Sequence, residues 1–104
     1  ETGATGLIYH ASYDQAQGTA YQPFNDQGGN AADESCAGEL HLFAPSSTTY
    51  MKHFYSRTQT YQGSDYSTDA YVGGYINITL AIDEVSFKMS SGNFDGTIKM
   101  YGLS

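Results

Sequence analysis

The chain has few of the residues on which disulfide-stapled scaffolds, nucleic-acid binders and membrane proteins depend. Its 104 residues include one cysteine, two prolines, no tryptophan, and four lysines and arginines against eleven acidic residues, which gives a net charge of −7. A single thiol excludes an internal disulfide framework, and Cys36 is expected to be a small buried or half-buried residue. With so few cations and no long apolar run, the sequence predicts neither nucleic-acid binding nor membrane binding.

The common catalytic motifs are also missing. The sequence contains no G-x-S-x-G, P-loop or H-E-x-x-H pattern. A glycosidase needs two carboxylates that face each other across a cleft. Asp83 and Glu84 are sequence neighbours, so on a strand their side chains would point to opposite faces. The sequence therefore predicts a protein without enzymatic activity.

Tyrosine and glycine, by contrast, are abundant, with ten and twelve copies. Tyrosine suits half-buried sheet faces and contact surfaces because it combines a large ring with a hydroxyl group. No stretch repeats apolar residues at helical spacing, so short strands separated by turns are expected. A long loop is predicted at 25–38. The strand candidates outside the last quarter are 6–11, 19–24, 39–43, 49–60 and 70–78.

The last quarter of the chain has the clearest strand pattern. Apolar and polar residues alternate over 84–89 and again over 97–101, and Ser-Ser-Gly-Asn-Phe-Asp-Gly lies between the two runs. Alternation with a period of two is typical of a strand with one buried face. Two such runs around turn residues predict a terminal β-hairpin at 80–104. The chain 1–104 is thus predicted to be one all-β domain, an antiparallel β-sandwich, or the C-terminal part of a larger one, with 1–5 outside the fold.

Oxygen-bearing side chains in the long loop suggest a calcium site. Asp26, Asn30, Asp33 and Glu34 share one glycine-containing stretch, and Ca²⁺ needs several oxygen ligands from a loop that can curl around it. The EF-hand spacing is absent, and solvated loop carboxylates are the commoner explanation. No cofactor is therefore predicted, and these four residues are only candidate calcium ligands.

A second candidate site comes from six tyrosines between residues 50 and 75. Aromatic rings stack on sugar rings, and neighbouring polar groups can bond to the sugar hydroxyls. On this hypothesis Tyr61, Tyr66, Asp69 and Tyr71 are the candidate ligand-binding residues. The commoner alternative is that the rings pack within the sheet or form a contact between subunits.

About two thirds of the chain resembles a family of bacteriophage tail and virion structural proteins. The resembling segments are GELHLFAPSSTTYMKHF at 38–54, AYVGGYINIT at 70–79 and IDEVSFKMSSGNFDGTIKMYGL at 82–103. The closing pattern FKMSSGNFDGTIKMYGL is the most specific of them. The resemblance implies a jelly-roll-like domain in a component of an extracellular virus particle, and it implies no catalytic residues.

Members of that family usually have additional strands ahead of the region that matches 5–38. A sandwich without those strands would expose sheet edges and apolar surface. The chain is therefore expected to assemble as a homo-oligomer or with other virion proteins. The resulting hypothesis is a tail, fibre or decoration protein that self-assembles through β-sheet surfaces. The alternatives are a module that recognises host surface glycans and an extracellular filament subunit.

Overall fold

The computed structural model describes residues 6–25 and 28–103. These residues form a short 3₁₀ turn (Ala11–Tyr13) and three strands, β1 (Ser35–Leu42), β2 (Lys52–Gln62) and β3 (Tyr66–Ile76). The strands make one open antiparallel sheet in the order β1-β2-β3. The predicted β-rich fold is confirmed at this level, because the described ranges contain no α-helix. Residues 1–5, predicted to lie outside the fold, are not among the described residues.

The central strand β2 is rich in Thr and aromatic residues, which fit a pleated, half-buried surface. It pairs with β3 from Gln62↔Tyr66 to Lys52↔Ile76, so the connection between them has only three residues. In this tight turn the amide of Asp65 donates to the carbonyl of Gln62 at 3.0 Å. Asp65 adopts a φ of 59°, which Asp tolerates better than most residues. The turn fixes the register of the whole β2–β3 ladder.

Directly opposed residues of neighbouring strands point to the same side of a sheet, so the register assigns every side chain to one of two faces. The inner face carries the even-numbered residues of the strands and the outer face carries the odd-numbered ones. Four polar residues of β2 on the inner face are the only buried residues among 6–25 and 28–103, and no apolar residue there is buried. These four are Lys52, Ser56, Thr60 and Gln62.

A segment near the N-terminus covers one part of the inner face. The ring of Phe24 meets that of Phe54 edge-to-face, with 5.9 Å between the ring centres. The hydroxyl of Thr58 donates to the carbonyl of Phe24, and that of Thr60 donates to the side-chain oxygen of Asn25. Polar side chains of β2 are therefore hydrogen-bonded to a covering segment that has no regular secondary structure.

A C-terminal segment covers the other part. The ammonium group of Lys52 donates to the carbonyl of Ile78 at 3.2 Å. The amide of Ile82 donates to the carbonyl of Pro45 at 2.8 Å, after β1 has ended. The hydroxyls of Tyr21 and Ser86 lie 3.0 Å apart and join the two covering segments. Both segments thus depend on polar contacts rather than on an apolar core.

The predicted terminal β-hairpin at 80–104 is wrong: residues 80–103 contain no strand, and Ser104 is outside the described residues. Val85 and Phe87 are each 40% exposed and Ile98 is 55% exposed, so the alternation does not separate a buried face from a wet one. Alternation gives a strand only when a neighbouring backbone satisfies its N–H and C=O groups. Within the described residues, no backbone hydrogen bond joins the two runs.

Other predicted boundaries also change. The candidate strands at 6–11 and 19–24 are not strands, because no neighbouring strand pairs with them. The predicted loop 25–38 ends earlier, since β1 begins at Ser35. The glycines at 73 and 74 sit in an unbroken ladder, and a Cβ at Gly74 would lie 3.0 Å from the ring of Phe54.

The fold is less compact than its length predicts. The Cα radius of gyration is 15.3 Å, against about 13 Å for a compact domain of 100 residues. The accessible surface is 8729 Å² for 11.3 kDa, whereas a folded monomer of that mass exposes about 5,700 Å². The chain therefore leaves an unusually large surface uncovered.

Candidate functional site

The outer face of the sheet is the surface on which the predicted site residues Tyr61, Asp69 and Tyr71 meet. Apart from Ala37 and Gly73, its side chains are aromatic or polar, and most of them are exposed. The face is made of Ser35, Ala37, Glu39 and His41 from β1, His53, Tyr55, Arg57, Gln59 and Tyr61 from β2, and Ser67, Asp69, Tyr71, Gly73 and Tyr75 from β3.

One end of the outer face carries a stack of rings. The rings of His41 and Tyr55 are 4.6 Å apart and nearly parallel, at 6°. Phe43, one residue beyond the end of β1, extends the stack, with its ring 5.9 Å from that of Tyr55. Beside Tyr55 the opposing residue on β3 is Gly73, so no side chain covers the ring from that strand. A partly open aromatic surface results.

The middle of the outer face carries a polar cluster around Arg57. Its guanidinium lies 3.4 Å from the carboxylate of Asp69 and 5.3 Å from the ring centre of Tyr71. The Arg57 side chain is 56% exposed and that of Asp69 is 39% exposed, so this ion pair is solvated and worth little to stability. Its donors and acceptors remain available to an external group.

The other end of the outer face is a shallow depression bordered by Tyr61. The depression is lined by Ser35, Cys36, Ala37, Gln59, Tyr61 and Ser67. The hydroxyl of Tyr61 donates to the carboxylate of Asp65 at 2.9 Å, which orients the ring. This hydrogen bond, followed by the negative charge of Asp65, raises the pKa of the Tyr61 phenol, because ionisation would break the bond and add a like charge.

The structure brings together three of the four predicted ligand-binding residues. Tyr61, Asp69 and Tyr71 lie on the outer face, whereas Tyr66 opposes the buried Gln62 and belongs to the inner face. Tyr66 has an even residue number and the other three have odd ones. Because side chains alternate between faces along a strand, Tyr66 lies on the opposite face from the others.

Several residues of this surface were not among the predicted ligand-binding residues. Arg57 sits diagonally across from Asp69, and His41 opposes Tyr55. On a strand at 49–60, the odd-numbered and even-numbered residues form two sets that face opposite sides of the sheet. The odd-numbered set contains His53, Tyr55 and Arg57. Both sets mix aromatic and polar residues, so the pattern alone did not show which set faces outward.

The candidate calcium ligands do not form a cluster in the part of the chain that the structure describes. No group of three or more His, Cys, Asp or Glu side chains is placed there to hold a metal ion, and Asp26 lies outside the described residues. The carboxylate of Glu34 instead accepts the amide of Ala31 at 2.6 Å. It also occupies the space where a Cβ at Gly29 or Gly63 would lie. Glu34 thus helps to close its own loop.

Cys36 differs from its predicted environment, because its thiol is free and the residue is exposed. It is on the edge strand β1. The expectation of a buried or half-buried residue is wrong.

Comparisons with known proteins give no further guide. No protein-family model, curated protein or solved structure matches the chain. Among the residues that the structure describes, no helix has the length and apolar character needed to cross a membrane.

Proposed function

We propose that this chain is a non-enzymatic structural module that self-assembles through its β-sheet, as a tail, fibre or decoration protein of a bacteriophage particle. One observation carries the assembly part of the proposal. The surface of 8729 Å² exceeds that of a compact monomer of the same mass by about 3,000 Å². Stable protein interfaces commonly bury about 1,200–2,000 Å² in total, so the uncovered surface is large enough for more than one contact.

The chemistry of this surface supports the same proposal. Tyr71, Tyr75, Tyr101 and Met100 are all more than half exposed, and so are Leu80 and Leu103. Large exposed apolar side chains of this kind favour contacts with other molecules. An acidic chain of net charge −7 also resists non-specific association. Contacts therefore need a specific geometry that offsets the charge repulsion.

The outer edge of β3 provides that geometry. β3 has 11 residues against 8 in β1. It contains one charged residue, Asp69, whereas β1 contains Glu39 and His41. An unpaired edge presents a row of N–H and C=O groups that another strand can satisfy. We assign β3 as the edge that pairs with β3 of a second copy, in a two-fold, antiparallel arrangement.

A β3–β3 contact centred on Tyr71 would keep the carboxylates apart. In that register Asp69 opposes Gly73 of the partner copy, and Ser67 opposes Tyr75 of the partner copy. Like charges directly opposite each other destabilise a strand pair, so this register avoids the largest penalty. The contact would join the three-stranded sheets of the two copies into one continuous sheet across the two-fold axis.

The assignment to a phage particle comes from the resemblance of 38–54, 70–79 and 82–103 to virion structural proteins. It places the chain outside cells, on the particle. Detection of the chain by mass spectrometry in purified particles of the source phage is the expected result, and its absence from particles would refute this assignment.

The assembly proposal is tested by placing charge on the proposed edge. The double variant Ser67→Lys and Tyr75→Lys puts two Lys pairs directly opposite each other across the two-fold contact. We expect a loss of self-association of about tenfold or more in sedimentation equilibrium.

The matched control is Ala37→Lys with Tyr55→Lys, which adds the same charge to the outer face on β1 and β2 at positions that do not oppose each other. Because added positive charge lowers the net repulsion, this control should associate as well as the unchanged chain or better. Equal loss in both double variants, or no loss in the edge variant, would refute β3 as the contact.

A further inference from the structure

We infer that the outer face of the sheet binds a neutral polysaccharide chain. The face carries both rings and hydrogen-bonding groups along its length. The ring stack of His41 and Tyr55 lies at one end, Arg57 with Asp69 and Tyr71 in the middle, and Tyr61 at the other end. A sugar chain needs both components, because its ring faces present C–H groups and its rims present hydroxyls.

The polar groups of the outer face argue against a protein as the occupant. A dry protein interface would remove the Arg57–Asp69 pair and the carboxylate of Glu39 from water, and the attraction between such groups rarely repays that desolvation. Sugar hydroxyls can donate to the two carboxylates and accept from the guanidinium, and water can bridge the remaining gaps. The sheet edge therefore suits a second copy of this chain, and the outer face suits a hydrated carbohydrate.

The charge of the molecule selects a neutral chain over an acidic one. The outer face has two carboxylates, Glu39 and Asp69, against the single guanidinium of Arg57. The whole chain adds a net charge of −7. A polyanion would meet repulsion from both sources, with one arginine already paired.

The shape of the surface favours a polymer over a small ligand. The outer face is open, and its one depression is shallow and borders Tyr61. The 11-residue strands make it about 35 Å long. A small ligand would bury little of its surface there, whereas an extended chain can contact the ring stack, the Arg57 cluster and Tyr61 at once.

Native affinity electrophoresis tests the inference, with gels containing dextran, mannan or xyloglucan as neutral probes and alginate as the acidic probe. We expect retardation by at least one neutral polysaccharide and none by alginate. Tyr71→Ala should weaken binding by about tenfold, because it removes the ring beside Arg57. Tyr75→Ala is a second outer-face variant, for which a weaker loss is expected.

The matched control is Tyr66→Ala, on the same strand but on the inner face. Tyr66 and Tyr71 are both exposed, at 42% and 66%, so their truncation should perturb the fold to a similar, small extent. Retention of binding in Tyr66→Ala with loss in Tyr71→Ala supports the inference. Absence of retardation by all three neutral probes, retardation by alginate alone, or equal loss in the two variants would overturn it. Self-association is measured separately, so a monomer that binds polysaccharide would refute only the assembly proposal.

Discussion

The two faces of the sheet distribute polar and aromatic residues in the opposite way from most soluble domains. The inner face buries Lys52, Ser56, Thr60 and Gln62, whereas the outer face exposes Tyr55, Tyr71 and Tyr75. In most soluble domains the large rings are inside and lysine is outside. The inner face is held by hydrogen bonds to covering segments, and the outer face has no such cover.

The contrast shows that a side chain is buried here because a covering segment lies over it, and not because the side chain is apolar. The hydroxyl of Ser56 is buried with no hydrogen-bond partner among residues 6–25 and 28–103, which costs free energy. The large aromatic rings that could have formed an apolar core lie on the outer face instead. A chain that exposes its large aromatic side chains is less stable as a monomer, and association with a partner can restore the lost stability.

Adding a methyl group to each face should give the largest difference in stability. A Cβ at Gly38, on the inner face, would lie 2.5 Å from the carbonyl oxygen of Arg57 and 2.8 Å from the Cα of Thr58. Backbone atoms cannot yield cheaply, so Gly38→Ala should lower the free energy of unfolding by about 1–3 kcal/mol. Urea unfolding followed by circular dichroism measures this change.

The control for that variant is Gly73→Ala on the outer face. There the nearest heavy atom to the new Cβ is 4.0 Å away, and alanine is favoured over glycine in a strand by about 0.5–1 kcal/mol. The two variants should therefore shift stability in opposite directions. A similar loss in both would mean that the close approach of the Arg57 carbonyl to Gly38 does not determine the effect.

Replacing the buried lysine should have a smaller effect of the opposite sign. Lys52 is fully buried, and its ammonium group donates to one carbonyl, with no carboxylate within ion-pair distance among the described residues. Lys52→Met keeps the volume and removes the desolvated charge, so unfolding should require about 1 kcal/mol more. Thermal and urea unfolding give this value. Lys99→Met, at an exposed position, should leave stability unchanged, and a loss of stability in Lys52→Met would show that the ammonium group is needed where it lies.

The smallest effect concerns the Tyr61 phenol at the end of the outer face. Because its hydrogen bond to Asp65 raises the pKa of the folded state above the ordinary value of about 10, this bond stabilises the fold below that pH. The contribution is lost as the pH rises through the folded-state pKa. An NMR titration of ¹³C-labelled tyrosine, assigned with Tyr61→Phe, should show the pKa of Tyr61 falling in Asp65→Asn. An unchanged pKa would mean that the bond does not form in solution.

Sequence reasoning predicted the β-rich fold and the positions of β2 and β3, because Thr and aromatic residues are dense there and a turn sequence separates them. It could not choose the inner face of β2. That choice depends on Phe24, Asn25 and Ile78, which are distant in sequence. The terminal hairpin was predicted wrongly for a related reason: alternation at Val85 and Phe87 describes a strand only when a partner backbone is present.

The candidate site was predicted in part. Tyr61, Asp69 and Tyr71 belong to one surface because their odd numbering and the short turn at Asp65 place them there. Tyr66 was included because tyrosines were grouped by sequence proximity, and its even position puts it on the other face. Arg57 could be linked to Asp69 only through the strand register, which a sequence pattern does not fix.

Hydrogen–deuterium exchange of the backbone amides of β3, measured from micromolar to millimolar protein, tests the central claim most directly. If β3 pairs with a second copy, amides on its outer edge should become protected as concentration rises, whereas those of β1 should not. Exchange at β3 that is independent of concentration over this range would contradict the account.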